Sequence, residues 1–173
     1  VDSDLRRPTL HRHFDLRNDK GILNWYEGRS RVGADTAPAA IDPADPELGI
    51  RTLREGFAFL PAGGSTKRTT ELFDSADFEG LVQRLRGQYD VIVLDTPPIS
   101  VFSDAVFLTD FADEVLYVAR FNAISRFKVR HFIQRLDGAH QDKVLGVIIN
   151  GRTSAKGQRY GYDYAYSYYS SDY

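Results

Sequence analysis

Cysteine and methionine are both absent from this chain, and tryptophan occurs once. Without cysteine there is no disulfide framework and no thiolate metal site; a reducing compartment is compatible with that but not required by it. Basic and acidic residues nearly cancel, 22 against 24, for a formal charge of −2. No overall field therefore draws the chain to nucleic acid or to an anionic membrane. No apolar run approaches the ~20 residues needed to span a bilayer, and no signal segment is visible. With methionine missing, Val1 reads as the tail of a strand rather than the start of a domain. The expectation is that the N-terminal part of the fold lies outside this sequence.

What is present is enough for one ordinary domain: 173 residues, 42% hydrophobic and 27% charged. Pro8 stands at a first helical position in "RRPTLHRHF", with Leu10 and Phe14 four apart on one face. "KGILNWYEG" reads as a short helix ended by Gly28, and residues 29–47, with three prolines, as a surface loop. "FAFLP" is a short strand stopped by Pro61. In "SADFEGLVQRLRG", Phe78, Leu81, Val82 and Leu85 fall at helical spacing between the cap Ser75 and the stop Gly87. The four apolar residues 91–94 of "YDVIVLDTPP" predict a strand buried on both faces. "SDAVFLTDFAD" predicts a helix, "EVLYVAR" a strand, "SRFKVRHFIQRLDG" a helix capped by Ser125 and stopped by Gly138, and "KVLGVIIN" a final buried strand. That alternation means α/β with a doubly wound, mostly parallel sheet over residues 1–158. Residues 159–173 read as a flexible tail, rich in tyrosine and without an aliphatic anchor.

Ligands of open α/β sheets bind beyond the carboxyl ends of the strands. The predicted strands end there in carboxylates: Asp95 after "VIVL", and Asp2 and Asp4 after Val1. A carboxylate leaving an apolar strand must be solvated, paired or bound to a cation. Hard oxygen ligands on adjacent strand ends suit Mg²⁺ completed by water and nucleotide phosphates. The alternative for Asp95 is that it caps the Thr-Pro-Pro turn that follows.

"VDSDLRRP" resembles the Walker A-prime motif, and "VIVLDTPP" the Walker B motif, of the bacterial tyrosine kinases, P-loop NTPase folds related to the MinD and ParA ATPases. "GILNWYEG", "FAFLPAG", "SDAVFLTDFADEVLYVARFN" and "VLGVIING" extend the resemblance over nearly the whole chain. It implies a protein-tyrosine autokinase using ATP and Mg²⁺ to regulate exopolysaccharide and capsule biosynthesis and export. Asp2 and Asp4 would help bind Mg²⁺ and activate the attacking hydroxyl, and Asp95 would hold Mg²⁺. Asn150 would contact adenine, unless it only ends its strand in a turn with Gly151. The acceptors would be Tyr160, Tyr162, Tyr164, Tyr166, Tyr168, Tyr169 and Tyr173. Implied partners are a neighbouring copy that receives the tail, a membrane activator or polysaccharide co-polymerase segment in cis or trans, and a tyrosine phosphatase; nucleic acid is not among them. The implied location is cytoplasmic, at the inner face of the cell membrane through a fused or partner membrane protein.

The sequence also departs from that family. Its phosphate-cradling G-x-x-x-x-G-K-[ST] loop would precede Val1, so this chain alone is expected to be inactive. "GGSTK" at 63–67 has the residue types in the wrong order, with lysine after the Ser-Thr pair, and reads as a surface turn. "TTELF" stands where an Asn-Pro commonly precedes the Glu-Leu. Arg6 and Arg7 read as cations reaching a phosphate or a neighbouring subunit, or as a solvated pair; His11 and His13 point to different faces. Two other readings stand beside the kinase: a MinD- or ParA-like ATPase, and a catalytically silent phospho-acceptor or interaction module.

Overall fold

A computed structural model describes residues 1–32, 42, 44–134, 136 and 138–151. The predicted tail and its tyrosines lie outside the described residues. The chain divides into two compact units, Val1–Phe111 and Ala112–Tyr173.

The first unit begins with an extended segment whose neighbours come from far along the chain. The Asp2 amide donates to the Leu60 carbonyl, while Ser3 N–H donates to the Asp95 carbonyl and Asp95 N–H to that of Val1, each at 2.9 Å. Asp2 and Asp95 thus face each other across a parallel bridge. Helix α1 (Leu10–His13) starts one residue after its cap Thr9, so Pro8 precedes the helix instead of opening it. Helix α2 (Ile22–Val32) runs through Gly28, where a stop was expected. A Cβ at Gly28 would meet nothing within 4 Å, and glycine within a helix costs only about 1 kcal/mol relative to alanine. Strands β1 (Arg51–Arg54) and β2 (Phe57–Phe59) form an antiparallel hairpin turned at Gly56, whose φ is 71°. Phe14 packs against Phe57 and Phe59.

Beyond β2 the backbone remains bonded past Pro61: Ile22 N–H donates to the Pro61 carbonyl and Leu23 N–H to that of Ala62. The predicted stop at Pro61 is therefore a change of partner, since proline loses its donor but keeps its acceptor. Helix α3 (Thr69–Phe73) is followed by α4 (Ala76–Arg86), which has the expected limits. Ser75 Oγ accepts from Phe78 N–H, leaving one fewer unsatisfied amide at the helix start. Phe78, Leu81, Val82 and Leu85 are all buried, joining Leu5, Ile22, Trp25, Leu60, Leu72 and Phe73 in the core of this unit. Helix α5 (Asp104–Leu108) leads into a single 3₁₀ turn.

The segment 91–94 departs from two-face burial. Val91 and Val93 are 78% and 71% exposed, whereas Ile92 and Leu94 are half-buried against the core. Successive side chains of extended backbone point to opposite faces. Here one face meets the core, and among the described residues the other is open. Apart from the bridge at Asp95 and the bond from the Val1 ammonium to the Val93 carbonyl, this segment does not pair as a strand.

In the second unit, β3 (Val115–Arg120) pairs in parallel with β4 (Val144–Asn150). Between them lie α6 (Arg126–Ile133), capped by Ser125, and the short α7 (Gly138–Gln141). Gly138 opens α7 rather than stopping α6, which ends earlier, at Gln134. The β4 strand forms as expected but is not buried: Leu145 and Ile149 are each 63% exposed. Hydrophobicity predicted this strand; burial depends on what covers its faces, which its own sequence does not specify.

Candidate functional site

Three extended segments bring the predicted carboxylates together at one end of the first unit. The bonds from Leu60 on one side and Asp95 on the other leave Asp2 with no accessible surface. Both its carboxylate oxygens are buried without a hydrogen-bond partner, as is Ser3 Oγ. Burial, then the nearby Asp95 and Asp4 charges, push the Asp2 pKa from 3.8 up to about 6. The Asp4 and Leu10 amides lie near enough to temper the rise without closing a geometrically sound bond to either oxygen. Asp95 is also raised, by burial and then by the Asp4 charge. The Asp95 residue is nonetheless exposed, so water screens this effect and little stability rests on it.

Asp4 has a second task. Its Oδ1 accepts from the Arg7 amide at 3.0 Å and fixes the turn that carries the two arginines away from the strand end. Arg6 is half-buried and paired within its own unit. Its Nε donates to Asp104 Oδ2 at 2.6 Å and its Nη2 to Asp104 Oδ1 at 2.9 Å, a two-pronged ion pair with a buried carboxylate. Asp104 is the site residue that sequence reasoning missed. It lies inside "SDAVFLTDFAD", which the sequence shows only as a helix; the approach of Arg6, ninety-eight positions earlier, reveals its partner.

An orphaned, buried carboxylate beside a second strand-end carboxylate fits a hard cation. No three acidic or histidine side chains converge into a metal cage among the described residues. Mg²⁺ does not need one, because it keeps several waters and takes further oxygens from nucleotide phosphates. Asp2 and Asp95 are the residues that would hold it.

The other predicted features fall elsewhere. The "GGSTK" turn is committed to packing: Gly63 N–H donates to Asn18 Oδ1 and Thr66 N–H to the Leu5 carbonyl, both at 2.8 Å. Gly63 has a φ of 77° and faces the Gly21 backbone closely enough that a side chain would collide. Asn150 ends β4 in the second unit, where its Oδ1 accepts from the Gly151 amide at 2.8 Å. His11 is half-buried and His13 exposed, two positions apart within a single helical turn.

The chain is mixed α/β with a parallel strand pair, and the solved structures it resembles give it a P-loop NTPase-like fold. By sequence and by structure the chain is related to the bacterial tyrosine kinase domains. It is 28% identical over 172 residues to tyrosine-protein kinase wzc of Salmonella typhimurium, covering 98% of this chain and 22% of that protein. It is 27% identical over 163 residues to tyrosine-protein kinase YwqD of Bacillus subtilis, covering 94% and 62%. The kinase domain of Escherichia coli tyrosine kinase ETK superposes with a TM-score of 0.73 at 26% identity, over 93% of this chain and 58% of that one. The VpsO kinase domain gives 0.66 at 27% identity, over 88% and 68%. The chain spans about a fifth of the length of wzc and of two further tyrosine-protein kinases that it matches. No family model matches it.

Proposed function

We propose that this chain supplies the acidic half of the active site of a protein-tyrosine autokinase, which transfers the ATP γ-phosphoryl group to the tyrosines of residues 160–173. The observation that carries this reading is Asp2: a buried carboxylate with both oxygens unbonded, bridged to Asp95, in a chain that aligns with tyrosine-protein kinases over most of its length. Bound Mg²⁺ would offset the charge that builds on the phosphate oxygens. The chain's own residues do the rest. A tyrosine hydroxyl, with an ordinary pKa of about 10, gives its proton to the Asp2–Asp4 pair as its oxygen bonds to the γ-phosphorus. The bond from that phosphorus to the β,γ-bridging oxygen breaks, and ADP leaves.

The relatives' names include tyrosine-protein kinases, one in a cps region and one called CapB. That supports a role in capsule or exopolysaccharide production. We infer in addition a second copy receiving the tail, a membrane activator or co-polymerase in cis or trans, and a phosphatase reversing the modification. Among the described residues, no helix is long and apolar enough to cross a membrane. A place at the inner face of the cell membrane therefore rests on such a partner or on another segment.

The test uses the longest polypeptide that contains this chain, incubated with Mg-ATP and probed for phosphotyrosine, with and without residues 160–173. Labelling that requires the tail is the expected result. ATP turnover without tyrosine label would replace the kinase with a MinD- or ParA-like ATPase. Neither turnover nor label would leave a silent interaction module.

A further inference from the structure

Asp104 has no accessible surface, yet it carries a carboxylate. It is satisfied by the Arg6 fork, and Thr69 completes the arrangement. The Thr69 hydroxyl donates its proton to Asp104 Oδ1 at 3.0 Å and accepts from Arg6 Nη2 through a lone pair at 2.8 Å, so both contacts are satisfied at once. Thr69 is itself fully buried, and the Arg6 guanidinium lies over the Phe102 ring, 4.3 Å from its centroid. Both Asp104 oxygens and the Thr69 hydroxyl are hydrogen-bonded, in contrast to the carboxylate of Asp2 a few residues from Arg6.

The position of the network matters more than its strength. Arg6 follows Asp4 in the segment that leaves the Asp2 strand end, and Asp104 opens the helix that follows Asp95 and its Thr-Pro-Pro turn. Backbone bonds align the two segments at Asp2 and Asp95. The Arg6–Asp104 fork ties the same two segments a second time, beyond the carboxylates. Two ties on either side of a group fix its orientation in a way that one does not. A planar guanidinium held at both oxygens also resists the sliding that a single contact would allow.

From this we infer that Asp104, acting through Arg6, is a positioning residue that holds the Asp2 and Asp95 carboxylates in register for a divalent cation. It touches neither cation nor nucleotide; it sets where the residues that do so stand. The inference rests on the reading of Asp2 and Asp95 as a cation site, and its test separates the two.

The experiment uses the longest polypeptide containing the chain, as wild type, Asp104→Asn and Arg6→Lys. Asparagine keeps the shape at 104 without the charge; lysine keeps the charge at 6 without the fork. Mn²⁺ alone is titrated and followed by electron paramagnetic resonance, tyrosine autophosphorylation is measured against Mg²⁺ concentration, and thermal midpoints are recorded. Loss of an outer positioning contact costs about ten- to a hundredfold in metal affinity. We expect Mn²⁺ affinity to fall about tenfold in Asp104→Asn, and the half-saturating Mg²⁺ to rise in step, in protein that is still folded. If Asp104→Asn does not fold, Arg6→Lys carries the test, with a smaller fall of about threefold. Wild-type Mn²⁺ affinity in the folded variants overturns the proposal, as does a loss explained wholly by the unfolded fraction. Absence of tyrosine label in the wild type would sink the kinase reading alone, because the Mn²⁺ arm still decides the role of Asp104.

Discussion

Replacing Asp2 by asparagine should stabilise the first unit at neutral pH while removing its proposed function. The folded protein holds the Asp2 pKa at about 6, against 3.8 for an ordinary aspartate. The folded state thus binds a proton over a range where the unfolded chain has lost it. Stability falls as pH rises from 3.8 toward 6 and is lowest above that window. The full penalty is at most about 3 kcal/mol. About 1 kcal/mol of it is present at pH 4.5 and nearly all at pH 7.5, so the advantage of Asp2→Asn should grow by about 2 kcal/mol between them. Whatever the new amide loses in unmet hydrogen bonds is the same at both pH values and cancels in that difference. Urea unfolding of both proteins at the two pH values measures it. An advantage that stays flat, or shrinks as pH rises, would refute the assignment of Asp2 as a buried, destabilising carboxylate. Adding Mg²⁺ at pH 7.5 should narrow the gap, because a cation supplies the counter-charge that a proton supplies at low pH.

Phe78→Ala should cost about 3–5 kcal/mol in denaturant unfolding, because Phe78 is buried and its ring meets Phe73 and Phe111 at centroid distances of 5.1 and 5.2 Å. A cost below 1 kcal/mol would mean that the cavity collapses and that α4 is not a keystone of the core. Gly63→Ala should destabilise by about 2–4 kcal/mol, combining left-handed backbone strain with a collision: φ is 77°, and the added Cβ would lie 2.6 Å from the Gly21 nitrogen. Thermal unfolding checks it, and a neutral result would argue that the turn moves freely.

Much of the fold was legible because it is local. Helix α4 follows from the spacing of Phe78, Leu81, Val82 and Leu85 between Ser75 and Gly87, and each of those residues does what the pattern requires. The carboxylates at Asp2 and Asp95 were equally visible, as charges that end apolar runs. Gly28 and Gly138 were misread because glycine permits a helix end without demanding one. The exposure of Val91, Val93 and Leu145 was out of reach for a different reason: an apolar run states a preference for cover, not which face receives it.

The sequence by itself determined helix α4 and the strands β3 and β4, the resemblance of "VDSDLRRP" and "VIVLDTPP" to Walker motifs, and the chemistry a strand-end carboxylate invites. Those properties belong to residues a few positions apart, and short-range periodicity and solvation energy govern them. Only the tertiary structure decided that Asp2 is sealed between Leu60 and Asp95, that "GGSTK" is spent on packing, and that Arg6 answers Asp104. Each of these depends on segments tens of residues apart being brought into contact. A side chain's environment, and with it its proton affinity and its partner, exists only once that contact has been made.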